Sequence, residues 1–486
     1  MPLRRLEYKW LVGITFVLAL VMQILDMTIL NVALATLGEQ FDVGAGTLQW
    51  VLTSYMISLA VFIPSSGWFS DRFGSKRTFQ FAVLMFTTAS VICGAAPGIK
   101  TLIAARFLQG IGGGMLVPVG QAMLFRAFPA QERAKASAIL AIPITAAPAL
   151  GPLLGGALIE TASWRWIFFI NVPVGALALL CSILFLVEER GRKPARFDFP
   201  GFLLAGCGLA TLLFGLDRAA ELGWANPIVW GCLIAATLLI SGLVWRELGA
   251  ADPMLDLRLL GNRIFGTGNL LLLCQTGSMF GVLFLVPLYL QDLRSTSALL
   301  AGLVLMPQAL SMLLVTQLVS RVYGRIGPRR LIAGGFVVLL VSTGTFQFVD
   351  LSSSLWSLVG SLVLLGCAMG MLMTPLQTAA FAQTTGAYMG QATSLFNVSR
   401  QVATALATAV VASALVMFTD SAMSGVTPTD PQAVAQARMA GFHGAFLVPV
   451  VFGVLGLVLT ARVRDADAVA TLDREATTAS RSSTVG

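Results

Sequence analysis

Charge is scarce in this sequence. Of 486 residues only 11% are Asp, Glu, Lys or Arg, and 57% are hydrophobic. A soluble domain carries about 25% charged residues, so much of this chain must face lipid rather than water. Histidine occurs once, as His443, and the six cysteines (Cys93, Cys181, Cys207, Cys232, Cys274, Cys367) fall in apolar stretches without a CxxC pair. Neither a disulfide framework nor a metal site is implied. A membrane enzyme would need clustered nucleophiles, bases or metal ligands, and one histidine with one buried acid does not supply them. No GxxxxGK[ST] phosphate loop is present, so the chain is not itself an ATPase. Gly110-Ile-Gly112-Gly-Gly114 has the look of a dinucleotide fingerprint but lies in an apolar span with no strand before it. No filter-like loop or ring of charges marks a channel. No cofactor is called for. The net charge of +8 sits in short loops between apolar spans, which is a topology signal and not a nucleic-acid face.

Apolar stretches of about 20 residues recur along the whole chain. The pattern predicts spans near 10–36, 47–69, 78–97, 101–123, 136–158, 166–187, 199–217, 226–246, 264–290, 298–320, 331–349, 355–379, 391–417 and 441–461. The first run is too long for a signal peptide and contains an acid. All nine tryptophans fall at or near a span end, where indole rings meet lipid headgroups. An even count puts both termini on one side. The termini and the loops on their side hold 24 of the 31 Lys and Arg residues, and the opposite loops hold five. This bias places both termini in the cytoplasm of a multi-pass plasma (inner) membrane protein. One cytoplasmic loop, 380–390, carries no basic residue.

A weak internal repeat divides the chain. Arg72-Phe-Gly74-Ser-Lys76-Arg77 matches Arg325-Ile-Gly327-Pro-Arg329-Arg330, 253 residues later, and Gly110-xxx-Gly114 matches Gly366-xxx-Gly370, 256 residues later. Duplicated halves characterise secondary transporters. The expected organisation is an N-terminal six-helix half (1–190), two extra transmembrane helices (191–262), a C-terminal six-helix half (263–461) and a polar cytoplasmic tail (462–486). A monomer is compatible with this pattern.

Few residues could carry chemistry. Asp26 is the one acid deep in a span, and a carboxylate there costs about 2.5–3.5 kcal/mol on insertion scales, which makes it a functional candidate. It can take a proton from one side and release it to the other. Thr28 and Asn31 stand near it in sequence, so a purely structural polar contact is the competing reading. Arg106 enters the fourth span far enough to reach Asp26 if the two helices adjoin, or else to snorkel to the headgroups. Gln109 follows one turn on, and with Asn31, Asn397, Arg400 and Gln401 it is a candidate for lining a substrate cavity. Arg400 lies mid-span in the thirteenth helix, too deep to snorkel, and calls for a polar cavity with Asn397 and Gln401. There it could meet an anionic group of a substrate or lipid. The stretch Gly67-Trp-Phe-Ser-Asp71-Arg72-Phe-Gly74-Ser-Lys76-Arg77 reads as a tight basic loop in which an acid beside three cations forms a switchable cluster. In the fifth span, Gly151-Pro152-Leu-Leu-Gly155-Gly156 combines a helix-bending proline with glycines that let another helix pack closely. His443 suits packing at the start of the last span.

These stretches resemble the major facilitator superfamily, and within it the fourteen-helix drug:proton antiporter branch of the EmrB/QacA type. The resemblance rests on Leu25-Asp26-Met-Thr28-Ile-Leu-Asn31, the Gly67–Arg77 loop, Arg106-Phe-Leu-Gln109-Gly110, the Gly151–Gly156 motif, and Trp164-Arg-Trp-Ile-Phe-Phe-Ile-Asn171-Val-Pro173-Val-Gly175. It covers nearly the whole chain. It implies an all-α integral membrane protein of the major facilitator fold, two six-helix halves plus two additional helices. It further implies proton-coupled export of amphipathic or apolar small molecules, or of one metabolite, siderophore or lipid by the same antiport. Asp26 and Arg106 match its coupling residues, Asp71 and Arg72 its gating loop, and Gly151 and Pro152 its antiporter motif. Ala147 departs from the glycine that usually opens that motif. No acid occurs in spans 9–14, which argues against strongly cationic substrates.

Overall fold

A computed structural model describes residues 7–190, 196–250, 252–296, 298–424 and 430–472. Its long helices are α1 (Tyr8–Phe41), α2 (Ala45–Phe62), α4 (Ser75–Gly94), α5 (Ile99–Ala127), α6 (Arg133–Thr161), α8 (Asn171–Phe185), α9 (Phe199–Leu222), α10 (Pro227–Gly249), α11 (Arg263–Leu288), α12 (Ala298–Ile326), α13 (Pro328–Thr345), α14 (Leu355–Ala380), α15 (Met389–Met423) and α16 (Pro431–Thr460). Two short helices, α3 (Ser66–Phe73) and α7 (Trp166–Phe169), complete the set, and no strand occurs among the described residues. Each of the fourteen expected segments coincides with a helix. Among the described residues, twelve helices are long and apolar enough to cross a membrane, and the bent pair Gly46–Phe62 and Ser66–Phe73 makes a thirteenth.

Local chemistry sets the helix ends. Asp198, Asn226 and Asp430 each cap a helix whose first turn carries proline, accepting from the backbone N–H of Gly201, Ile228 and Gln432. The expected span 47–69 is not one straight helix. It breaks at Ile63–Ser65 by 53°, because Pro64 has no N–H to continue the ladder.

The helices pack as two groups. In the first, α1 lies against α6 and α8, while α2 and α4 lie against α5. In the second, α12 and α13 flank α14, and α15 and α16 flank α11. The hairpin α9–α10 lies on the seam, with α9 touching α2 of one group and α15 of the other. The start of α1 and the turn after α16 lie on one face, called here the terminal face; the expected tail beyond residue 472 lies outside the described residues. Lys9 Nζ donates to Glu132 Oε2 at 2.6 Å, tying the start of α1 to the α5–α6 turn. That ammonium holds the Glu132 carboxyl below its ordinary pKa. At the other end, Tyr323 of α12 bonds Thr471 at 2.9 Å, and the turn Asp465–Thr471 touches the turn Ala130–Glu132.

Two tryptophans depart from the expected headgroup placement. Trp68 is only 9% exposed and donates to the Arg196 carbonyl at 3.1 Å, against the Phe197 ring. Trp164 is buried between Phe41, Phe168 and the Arg165 guanidinium. Both rings find protein partners for their large apolar area. His443, as expected for packing, bonds the Val349 carbonyl at 2.8 Å.

Candidate functional site

Asp26 sits in the middle of α1 and is buried. Its carboxylate receives three donors from two other helices. Arg106 Nη1 of α5 lies 2.6 Å from Oδ2. Gln109 Nε2, one turn along α5, reaches Oδ1 at 2.8 Å. Asn171 Nδ2, the first residue of α8, reaches the same Oδ1 at 2.8 Å. The network closes on itself: Gln109 Oε1 accepts from Arg106 at 2.6 Å, and Ser90 Oγ of α4 accepts from Gln109 and Asn171 at 2.6 and 3.1 Å. Arg106 also donates Nε to the Val51 carbonyl at 3.2 Å and stacks 4.3 Å from the Tyr55 ring centroid. Every group facing Asp26 is a donor, so this arrangement fits the ionised carboxylate, an acceptor only. Stripping water from two charges is costly, and only geometry of this quality offsets it.

Arg106 therefore does not snorkel. The Asp26, Thr28 and Asn31 cluster expected from sequence does not form. Asn31 is five residues beyond Asp26, about 140° around the helix at 3.6 residues per turn, and it is exposed. Thr28 bonds the carbonyls of Ile24 and Leu25 within α1 and abuts α6. Gln109 belongs to the buried Asp26 network and not to a cavity with Asn31. Asn171 and Ser90 are site members that single-residue reading passed over.

The glycines of the fifth span meet α1 next to this network. A Cβ at Gly151 would overlap the Thr28 hydroxyl, and one at Gly155 would lie 3.1 Å from Ile29 Cγ2 and 3.3 Å from its carbonyl oxygen. Gly156 meets open space instead. The Pro152 side chain lies outside the described residues.

The Gly67–Arg77 stretch is mostly the helix α3 and the turn after it. Asp71 is buried, but its partner is Arg126 at the end of α5, with Oδ1 and Nη2 3.5 Å apart. It does not sit among Arg72, Lys76 and Arg77. Gly74 adopts φ +99°, a conformation open to glycine and costly for other residues. That turn carries the later residues to the end of α8. There Glu188 Oε1 accepts the Lys76 backbone N–H at 3.0 Å, Lys76 Nζ reaches the Leu186 carbonyl at 2.7 Å, and Arg77 Nε lies 3.7 Å from Glu188 Oε2. Arg72 is exposed. The repeat recurs in three dimensions: Gly327, at φ +84°, precedes Arg329, whose N–H donates to Asp465 Oδ1 at 2.9 Å. In each half an acid after the last helix caps the third helix.

The terminal face is where the two helix groups lock. Asp71 Oδ1 lies beside Gly390 in the first turn of α15, where the helix dipole favours an anion. At Gly67 an added Cβ would stand 3.0 Å from the Gly390 carbonyl oxygen. Carbonyls at the Pro64 break are used across the seam, Ser394 Oγ donating to Ile63 O at 2.7 Å. Asn397 Nδ2 donates to Gln121 Oε1 at 2.8 Å. The 380–390 loop, which lacks basic residues of its own, receives them from the other group: Arg126 Nε bonds the Gly386 carbonyl at 2.9 Å and Arg133 Nη1 the Phe381 carbonyl at 2.6 Å. Phe381 packs between Phe125 and Phe396 with tilted rings, centroids 5.0 and 5.2 Å away. Arg400 Nη2 donates to Asn397 Oδ1 at 2.7 Å, and Gln401 beside it is half-buried.

Comparison with known proteins agrees with this architecture. The sequence profile described as Major Facilitator Superfamily matches residues 16–408. The chain belongs to the Major Facilitator Superfamily. It is 35% identical over 398 residues to "Multidrug resistance protein B homolog" of Mycobacterium tuberculosis, covering 81% of this chain and 74% of that one. It is 37% identical over 355 residues to "Putative multidrug resistance protein MdtD" of Cronobacter sakazakii, covering 72% and 73%. Among solved structures, the proton:xylose symporter XylE superposes with TM-score 0.64 at 16% identity, over 93% of this chain and 94% of that one. The last likeness concerns the fold alone. As a member of this superfamily the chain is a multi-pass membrane transporter with an all-helical major facilitator fold, and its similarity to multidrug resistance proteins supports a multidrug-type transporter.

Proposed function

We propose that the chain is a proton-coupled antiporter that exports amphipathic or apolar small molecules across the plasma membrane, with both termini in the cytoplasm and the terminal face as its cytoplasmic side. The observation that carries this reading is the Asp26 network. A carboxylate held by Arg106, Gln109 and Asn171 in a buried site has two states of very different interaction energy. Ionised, it pairs with Arg106; protonated, it loses that attraction and frees the guanidinium. Proton binding thus changes how α1, α5 and α8 are held together. The locked terminal face goes with the ionised state, so this is the arrangement closed toward the cytoplasm. Gly151 and Gly155 let α6 pack against α1 beside the carboxylate, and this close packing seals the proton site. The names of the relatives point toward drug-like cargo, and the acid-free spans of the second half point away from strong cations.

The test is flux in proteoliposomes with an imposed pH gradient. Asp26→Asn keeps size and polarity but cannot release a proton. Gradient-driven export should be lost, with folding and reconstitution unchanged. Full gradient-driven export by the mutant would remove Asp26 from the mechanism.

A further inference from the structure

Among the described residues, Arg400 has no counter-ion. It stands eleven residues into α15, counted from Met389, about 16 Å along the helix at 1.5 Å per residue. That is beyond reach of the headgroups on the terminal face. Among the described residues it forms no ion pair, and its side-chain bond is the one from Nη2 to Asn397 Oδ1. The other arginine inside a span, Arg106, is neutralised by Asp26. A guanidinium has five N–H donors, so most of those on Arg400 remain available.

Its position gives the cation a direction. Asn397 belongs to the seam through Gln121, and Ser394 belongs to it through Ile63. Arg400 is one helical turn past Asn397, on the side away from the terminal face, and its own contact orients it from that seam residue. It stands just beyond the last bond of the lock. Gln401, Thr404 and Thr408 continue a polar stripe along α15, and the hydroxyls of Thr404 and Thr408 donate back to the carbonyls of Arg400 and Thr404 at 3.0 Å each. Those hydroxyls keep lone pairs free but add no negative charge. Spans nine to fourteen contain no acid that could neutralise the site.

A lone cation in a span is expensive, and such residues mark substrate paths. We infer that Arg400 receives the anionic group of the transported molecule, so that the cargo is an amphipath bearing a carboxylate, sulfonate or phosphate on an apolar body. A planar guanidinium matches such oxyanions in a two-pronged geometry that an ammonium cannot reproduce. This rests on the transport reading above and supplies its substrate class.

The experiment is equilibrium binding, with no gradient. The full chain in nanodiscs of zwitterionic lipid is titrated by calorimetry with three probes on one naphthalene body: a sulfonate, a neutral alcohol and a trimethylammonium. The wild type should prefer the sulfonate to the ammonium. Arg400→Gln should weaken sulfonate binding by about tenfold or more, as expected for a charge-assisted hydrogen bond, and leave the alcohol unchanged. Arg400→Lys should recover part of the loss, and it is the second variant should Arg400→Gln unfold early in a thermal scan. Equal weakening of sulfonate and alcohol would mark Arg400 as structural and overturn the inference. So would unchanged sulfonate binding, a preference for the ammonium, or binding of none of the three. Adding phosphatidylglycerol to the discs separates cargo from lipid: loss of the Arg400-dependent sulfonate signal would assign the site to a lipid headgroup and overturn the cargo assignment. If the sulfonate preference holds but a pH gradient drives no flux, the antiport reading fails and this one stands.

Discussion

Gly67→Leu should open the terminal face without unfolding the protein. Gly67 lies at the start of α3, pressed on the first turn of α15. An ideal Cβ there would stand 3.0 Å from the Gly390 carbonyl oxygen and 3.2 Å from both Gly390 C and Gln391 Cα. These are backbone atoms, so no side-chain rotation can relieve the overlap. Either α3 or α15 must move. Overpacking of this kind costs about 1–3 kcal/mol, and it falls only on the arrangement in which α3 and α15 touch. The ratio of open to closed should therefore rise by about 5- to 150-fold, the population equivalent of that energy. The measurement is double electron–electron resonance between spin labels at Arg77→Cys and Arg330→Cys, exposed residues at the starts of α4 and α13. The background has the native cysteines replaced by alanine. The short-distance population should fall and a longer one appear, with the melting temperature little changed. An unchanged distance distribution would refute the reasoning. A lowered melting temperature with no new population would show that Gly67 serves stability alone.

Asp71→Asn and Arg126→Gln should each shift the same distance distribution toward open, because the first removes the anion that faces Arg126 and the α15 dipole and the second removes the cation that holds it. The double mutant should shift it little further than either single one. Gly74→Ala should lower the melting temperature, since a non-glycine residue in this extended positive-φ conformation costs about 1–3 kcal/mol and the added Cβ meets the Glu188 carboxylate. Gly151→Leu should keep substrate binding but leak protons, because its side chain pushes against Thr28 and parts α6 from α1. Proton leak and export measured in the same liposomes decide it, and a stable mutant with fully coupled export would contradict the proposed seal.

Much of this arrangement was readable in the sequence because it is written in rare events. One acid and two arginines inside spans stand out against an apolar background, and depth alone made an Asp26–Arg106 contact possible. Gln109 could have been assigned to it, since residues three apart share a helix face. Asn171 and Ser90 carried no such signal. A single uncharged polar residue costs little in an apolar stretch, so its role appears only when four helices converge. Arg126 counted as one more loop cation for topology, and its partners, Asp71 and the Gly386 carbonyl, are 55 and 260 residues away. The glycine repeat at Gly74 and Gly327 was visible, but the acids that complete it, Glu188 and Asp465, sit in no shared motif. The expected span 47–69 ran straight through Pro64, and only the fold shows the break there and Ser394 of the other half bonding the Ile63 carbonyl.

The glycines Gly110, Gly112 and Gly114, set aside above as a nucleotide fingerprint, explain how the two ends of α5 can act together. Arg106 and Gln109 hold Asp26, and Arg126 holds Asp71 twenty residues later, about 30 Å along the helix. Between them, a Cβ at Gly110, Gly112 or Gly114 would lie 2.6 Å from the carbonyl oxygen of Tyr55, Ala82 or Leu59. Helix α5 is thus in backbone contact with both α2 and α4. Side-chain contacts can yield by changing rotamer, whereas backbone contacts force neighbouring helices to move together. Helix α2 runs directly into the break at Ile63–Ser65, whose carbonyls Ser394 grips from the other half. On the antiport reading, release of Arg106 by a protonated Asp26 frees the α5–α2–α4 body as a unit. That unit carries the Ile63 carbonyl and Arg126, two of the fastenings of the terminal face. One carboxylate can then control a lock it does not touch.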